Sequence, residues 1–186
     1  DGNTVHLVWE KYSSLKEREI LYMHGQVEGD GVQWSDPVAL STGIQRPVWP
    51  AIAAANDGGL HVAWGEEIGT TDKPAQHYVR YTRYDGSTWS VPERISSSPV
   101  KINHESPAYI APDIALFEDS GHTEVCVVFQ GYSSSSNIQA EEVLVSCTTP
   151  GHDWPPLQNV SRSPDYEKTL SILPSLAFDR RGKLHV

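Results

Sequence analysis

The stretch "TRYDGSTWSVPERIS" (82–96) closes a run of alternating apolar and polar residues with an Asp-Gly turn, followed by a Trp, a Pro and another short apolar segment. The same order occurs upstream in "HGQVEGDGVQWSDPVALS" (24–41) and downstream in "CTTPGHDWPPLQNVS" (147–161), where Pro150 stands in place of the Asp. A turn signature that returns with its flanking strands marks one unit of a repeat, so the period has to be found before any local assignment.

Three further landmarks recur in register with it. Segments "PAIAA" (50–54), "PDIAL" (112–116) and "PSLAF" (174–178) begin 62 residues apart each time. They are followed, usually after a Gly-containing turn, by "LHVAW" (60–64), "VCVVF" (125–129) and "LHV" (184–186), with "VHLVW" (5–9) as an earlier copy. A third series, "EILYMH" (19–24), "HYVRYT" (77–82) and "EEVLVSC" (141–147), precedes the Trp turn, and "WSDPVALS", "WSVPERIS" and "WPPLQNVS" follow it. The apolar residues keep strand length and β periodicity, with no helical period in the chain. Pro37, Pro92 and Pro155 fall in the fourth segment. Proline has no amide to donate, which suits an edge strand.

The expected fold is therefore all-β, made of four-stranded antiparallel units that cover one another's apolar faces, as in a propeller. A β-sandwich is the rival arrangement, and the 62-residue period argues against it. The units fall near 1–45, 46–107 and 108–170, with an incomplete one at 171–186.

With Asp and Glu outnumbering Lys and Arg by 24 to 14, the chain carries a formal charge of −10 and has no extended basic cluster. Nucleic acid and anionic membrane surfaces are poor partners for it. Its apolar runs have strand length, so none reads as a membrane-spanning helix. Cys126 and Cys147 lack the spacing of a zinc site. A hairpin folded about "GYSSSSNIQA" (131–140) brings them opposite each other, either as a cross-strand disulfide or as packed thiols. Asn159-Val160-Ser161 forms a glycosylation sequon.

The turn motif resembles the Asp-box of the sialidase-like β-propeller superfamily, Ser-x-Asp-x-Gly-x-Thr-Trp. Thr82, Asp85, Gly86, Thr88 and Trp89 match it with one residue deleted between Asp and Gly; Asp30, Gly31 and Trp34 match it in part, and Gly151 and Trp154 are what the third unit keeps. The resemblance implies about three blades, half of a six-bladed ring, completed by the rest of a longer chain or by a second copy. It also implies largely buried, equivalent places for Trp34, Trp89 and Trp154. Its sialidase members use a Tyr nucleophile and three arginines that grip a substrate carboxylate, one of them in a Phe-Arg-Ile-Pro motif. The nearest stretch here is "IQRPVWP", where Arg46 precedes Pro47 without the Phe or the Ile. The resemblance leaves open whether the chain is an enzyme. An extracellular or cell-surface location follows from the same likeness, with no cofactor and no metal expected.

In such a blade, the turns joining strands two and three emerge at the same end as the connections to the next blade, opposite the Asp-box turns. That end is the candidate binding face. Its connections hold Glu10, Arg46, Trp49, Glu66, Glu67, His104, Glu105, Tyr109, Tyr132 and Tyr166. Aromatic rings beside carboxylates and an Arg suit a glycan, which offers ring faces for stacking and hydroxyls for hydrogen bonds. A non-catalytic scaffold for protein contacts is the alternative. Glu66 and Glu67 point in opposite directions on an extended backbone and make no acid/base pair by themselves. The Asp-box residues read as turn-forming, and the repeated His6, His61 and His185 as packing groups.

Overall fold

The fold is that of a computed structural model describing residues 3–14, 17–44, 46–70, 73–96, 110–131, 142–162 and 171–186. Every paired strand is antiparallel, and the described residues contain no helix. The first sheet comprises β1 (Thr4–Ser14), β2 (Glu17–Glu28), β3 (Gly31–Trp34) and β4 (Val38–Ala39), with β2 paired to all three others. The second runs in order β5 (Pro47–Ala54), β6 (Leu60–Thr70), β7 (Lys73–Tyr84) and β8 (Glu93–Arg94). The third repeats that order with β9 (Asp113–Asp119), β10 (His122–Gly131), β11 (Glu142–Thr148) and β12 (Gln158–Asn159). A hairpin of β13 (Ala177–Phe178) and β14 (Leu184–His185) follows.

Burial on both sides explains why the second segments read as almost unbroken apolar runs. Leu60, Val62 and Trp64 of β6 pack against Ile20, Tyr22 and Leu40 of the first sheet. Ala63 points the other way, into a core shared with Val125, Val127 and Phe129 of β10. Cys126 and Val128 then face Leu176, Phe178 and Leu184 of the terminal hairpin. First strands of successive sheets also touch: the Asp113 carboxylate accepts hydrogen bonds from Ser175 Oγ at 2.8 Å and from the Leu176 amide at 3.0 Å. Gly65 is needed because a Cβ there would lie 2.7 Å from the Ile110 carbonyl of the next unit.

Two sequence expectations need correction. The connections "EKYSSLKERE" and "GEEIGTTDKPAQ" are largely paired strand, with Tyr12 opposite Arg18 and Thr70 opposite Lys73. The apolar pattern ends before the ladder does, because cross-strand backbone hydrogen bonds continue where side chains no longer enter the core. Nor are the three Trp residues largely buried: Trp89 and Trp154 are half-buried and Trp34 is 43% exposed. Trp89 packs edge-on against Tyr22 of the first sheet (centroids 5.0 Å), and Trp154 meets Tyr81 of the second in the same way (5.1 Å). Trp34, in the first sheet, has no preceding sheet among the described residues to supply the Tyr.

Cys126 lies opposite Cys147 across β10 and β11, and the two form a disulfide. Of the two outcomes open from sequence, the cross-strand bond is the one realised.

Candidate functional site

Four of the candidate residues converge at one end of the second sheet, where the ladder between β5 and β6 pairs Pro47 with Glu66 and Val48 with Gly65. The register then shifts before Ala51, a bulge that turns Trp49 outward. Arg46 and Trp49 both have positive φ, 39° and 53°. The equivalent of Trp49 before Pro174, which precedes β13, is Leu173, also at 53° and 67% exposed. These two positions share a left-handed backbone that the third sheet's equivalent, Ala111, does not adopt, and in the second sheet it presents a Trp that is 50% exposed.

Ionic pairing organises the rest. Arg46 Nη1 contacts Glu67 Oε1, and the Glu67 amide donates to the Arg46 carbonyl at 3.4 Å. On the opposite face of β6, buried Glu66 takes a bidentate pair from Arg80, Nε to Oε2 at 2.8 Å and Nη2 to Oε1 at 3.1 Å. Arg94 Nε lies 3.6 Å from the same carboxylate, and its guanidinium stacks 3.6 Å above the Tyr78 ring. In the first sheet Glu10 accepts from Arg18 Nη1 at 3.0 Å, with Arg18 placed 4.9 Å above the Tyr12 ring.

Each described candidate carboxylate is therefore held by an arginine, an arrangement that orients charge rather than supplying a free acid and base. Glu66 and Glu67 do diverge to opposite faces, as an extended backbone requires. His104, Glu105, Tyr109, Tyr132 and Tyr166 lie outside the described residues. Arg18, Arg80 and Arg94 were not among the residues singled out from sequence. A signal existed for Arg80: it occupies the repeat position held by Leu21 and Leu144, and a charge at an apolar repeat position needs a partner.

The opposite end of the sheet carries turn chemistry. Asp85 Oδ1 accepts from the amides of Thr88 (2.8 Å) and Ser87 (2.9 Å), and Gly86 adopts φ 94° to let the turn close. These amide donors, that of Thr88 first, hold the Asp85 carboxyl down at about 2. Thr82 Oγ1 donates to the Ser90 carbonyl at 2.8 Å, tying β7 to the segment after the turn. Gly151, at φ 87°, makes the corresponding turn before Trp154, whose Nε1 donates to Glu93 Oε1 at 3.1 Å. Asp30 lies in the β2–β3 turn beside Gly29, which takes the positive φ of 58°, and Gly31 opens β3.

Two of the repeated histidines serve the interfaces between sheets, whereas His185, expected to pack, is exposed and lies 3.3 Å from Asp179 Oδ2 within its own hairpin. His6 Nδ1 lies 2.9 Å from the Tyr22 hydroxyl and His61 Nδ1 lies 2.6 Å from that of Tyr81, the two tyrosines that receive the next sheet's Trp. Burial drives the His61 pKa down from 6.5 to about 4 and raises that of Tyr81. Because the folded value is depressed, the unfolded chain binds the proton first as pH falls. His61 thus withdraws stability between about 6.5 and about 4. Urea titrations across this range should show the native chain losing stability relative to His61→Gln as pH drops; parallel pH profiles would refute this role for His61.

Among the described residues, Glu124, Cys126 and Cys147 are close enough to be considered as metal ligands, but the two sulfurs are bonded to each other and offer no thiolate. No helix among the described residues is long and apolar enough to cross a membrane. Comparison of the chain with protein-family models, characterised proteins and solved structures found no match.

Proposed function

We propose that this chain forms part of a sialidase-like β-propeller and that it binds carbohydrate at the end where the second and third strands turn. The carrying observation is Trp49, half-exposed on an outward bulge beside the Arg46–Glu67 pair. An aromatic face next to oriented charged hydrogen-bonding groups suits a pyranose ring and its hydroxyls. Support for the propeller comes from the 62-residue period, from four-stranded sheets in sequential order, and from first strands that touch one another. The disulfide fits an oxidising, extracellular or cell-surface setting.

Binding without hydrolysis is the version favoured by the site's geometry, since Glu10, Glu66 and Glu67 are engaged by arginines. A glycan array together with a fluorogenic sialoside assay tests it. Array binding without turnover is expected, and Trp49→Ala should weaken the bound glycan's affinity about tenfold, equivalent to ~1.4 kcal/mol. Turnover abolished by Arg46→Ala would make the chain a glycoside hydrolase instead. Silence in both assays would leave the protein-contact scaffold.

A further inference from the structure

Each of the first three sheets closes on a serine that the repeat supplies. Ser41, Ser96 and Ser161 stand two residues beyond Ala39, Arg94 and Asn159, which pair with Leu21, Arg80 and Leu144 of the neighbouring strand. In the first and third sheets the hydroxyl has the same partner position: Ser41 Oγ accepts from the Ile20 amide at 2.8 Å, and Ser161 Oγ from the Val143 amide at 3.0 Å. Ser161 also donates to the buried Glu142 carboxylate. The serine is thus required by the fold, and what distinguishes the third sheet is the residue two before it. Asn at that place makes Asn159-Val160-Ser161 a sequon, the only Asn-x-Ser/Thr sequence in the chain.

Asn159 is half-buried on β12, and its two polar atoms are set apart. Oδ1 accepts from the Arg162 amide at 3.0 Å and lies 3.3 Å from Ser161 Oγ. A backbone amide only donates, so this contact fixes which atom of the side chain is the oxygen. Nδ2 makes no hydrogen bond among the described residues and is not one of the buried side-chain atoms without a partner, so it reaches solvent. A substituent on that nitrogen displaces no hydrogen bond. The two residues that follow are, by contrast, tied to the neighbouring strand. The Val160 amide donates to the Val143 carbonyl at 2.9 Å, and the Ser161 hydroxyl is engaged by the Val143 amide and by Glu142. An enzyme that recognises the sequon through its serine hydroxyl has to meet the segment before it pairs with β11.

We propose that Asn159 carries an N-linked oligosaccharide, added while residues 158–162 are still unpaired and kept on the solvent side of β12 once the sheet forms. The donor is an oligosaccharide joined through its anomeric carbon to a polyprenyl diphosphate. Asn159 Nδ2 forms a bond to that carbon as the carbon–oxygen bond to the diphosphate breaks. The polyprenyl diphosphate leaves with the bonding pair, Nδ2 gives up one proton to a base of the transferase, and nothing is oxidised or reduced. The Cys126–Cys147 disulfide suits the oxidising secretory compartment in which such transfer takes place. The site stands whether or not the Trp49 end binds a glycan.

The full chain, expressed behind a cleavable secretory leader in cultured animal cells, should gain one oligosaccharide, read by intact mass and peptide mapping. A peptide N-glycosidase should remove it and leave Asp at position 159. Asn159→Gln should abolish the modification and Ser161→Thr should retain it, and both are scored on cell-associated as well as secreted chain, so that a folding defect does not hide the result. In a second arm, the folded unmodified chain and a blocked peptide copying residues 157–163 receive the same detergent-solubilised transferase and donor. The peptide should react at least about tenfold faster, since the folded sequon is offered only when β12 opens. A native chain that passes through the secretory pathway unmodified, or a glycan that persists in Asn159→Gln, would overturn the site. Equal rates for folded chain and peptide would overturn the order of addition and pairing.

Discussion

Glu66→Ala should lower the stability of this chain by about 3–5 kcal/mol, the cost of leaving a largely buried arginine without its counter-ion. The Arg80 side chain is 15% exposed and directs two hydrogen bonds at the Glu66 carboxylate, while its Nη1 reaches the Pro92 carbonyl at 3.4 Å. Alanine removes both acceptors and leaves the guanidinium where water enters poorly. Glu66→Gln keeps one carbonyl acceptor and should fall between alanine and the native residue. Arg94 is 37% exposed and lies farther from the carboxylate, so Arg94→Ala should cost only about 1 kcal/mol or less. Chemical denaturation of the three variants gives the comparison. Equal losses for Glu66→Ala and Arg94→Ala would show that the Glu66–Arg80 pair carries no special weight.

Loss of the Cys126–Cys147 bond should cost about 3 kcal/mol, since it closes a loop with a sequence separation of 21 and so constrains the unfolded chain. In a chain of this size that amounts to a fall in melting temperature of roughly 6–12 °C. The two cysteines are the whole cysteine content, so a small thiol reductant acts on this bond and no other. Reduction and the double Cys→Ser variant should give matching shifts in a thermal melt. The register of β10 and β11 should survive both, because Val125, Val127 and Phe129 still anchor that sheet in the core it shares with the second. A melt unchanged by reduction would assign the bond no stabilising role.

The candidate site was less legible than the fold for a definite reason. Trp49 could be named from sequence as an aromatic near Arg46, but its outward placement depends on a register shift between β5 and β6 that no local pattern announces. Glu66 and Glu67 were equally visible as acidic residues. Their ionic partners were not: Arg80 lies 14 residues from Glu66 and Arg46 lies 21 residues from Glu67. The same holds for Trp34 and Trp89, identical in the repeat yet different in exposure, since a ring is covered only where a neighbouring sheet brings a Tyr to it.

By itself the sequence determined the strand content, the order of strands within a unit, the 62-residue spacing and the pairing of Cys126 with Cys147, because alternation, turn residues and hairpin register are short-range properties of the chain. Tertiary structure alone decided which carboxylates are neutralised and which Trp is covered. Those outcomes depend on what one sheet presents to the next, and contacts between sheets join residues whose separation in the chain leaves no periodic trace.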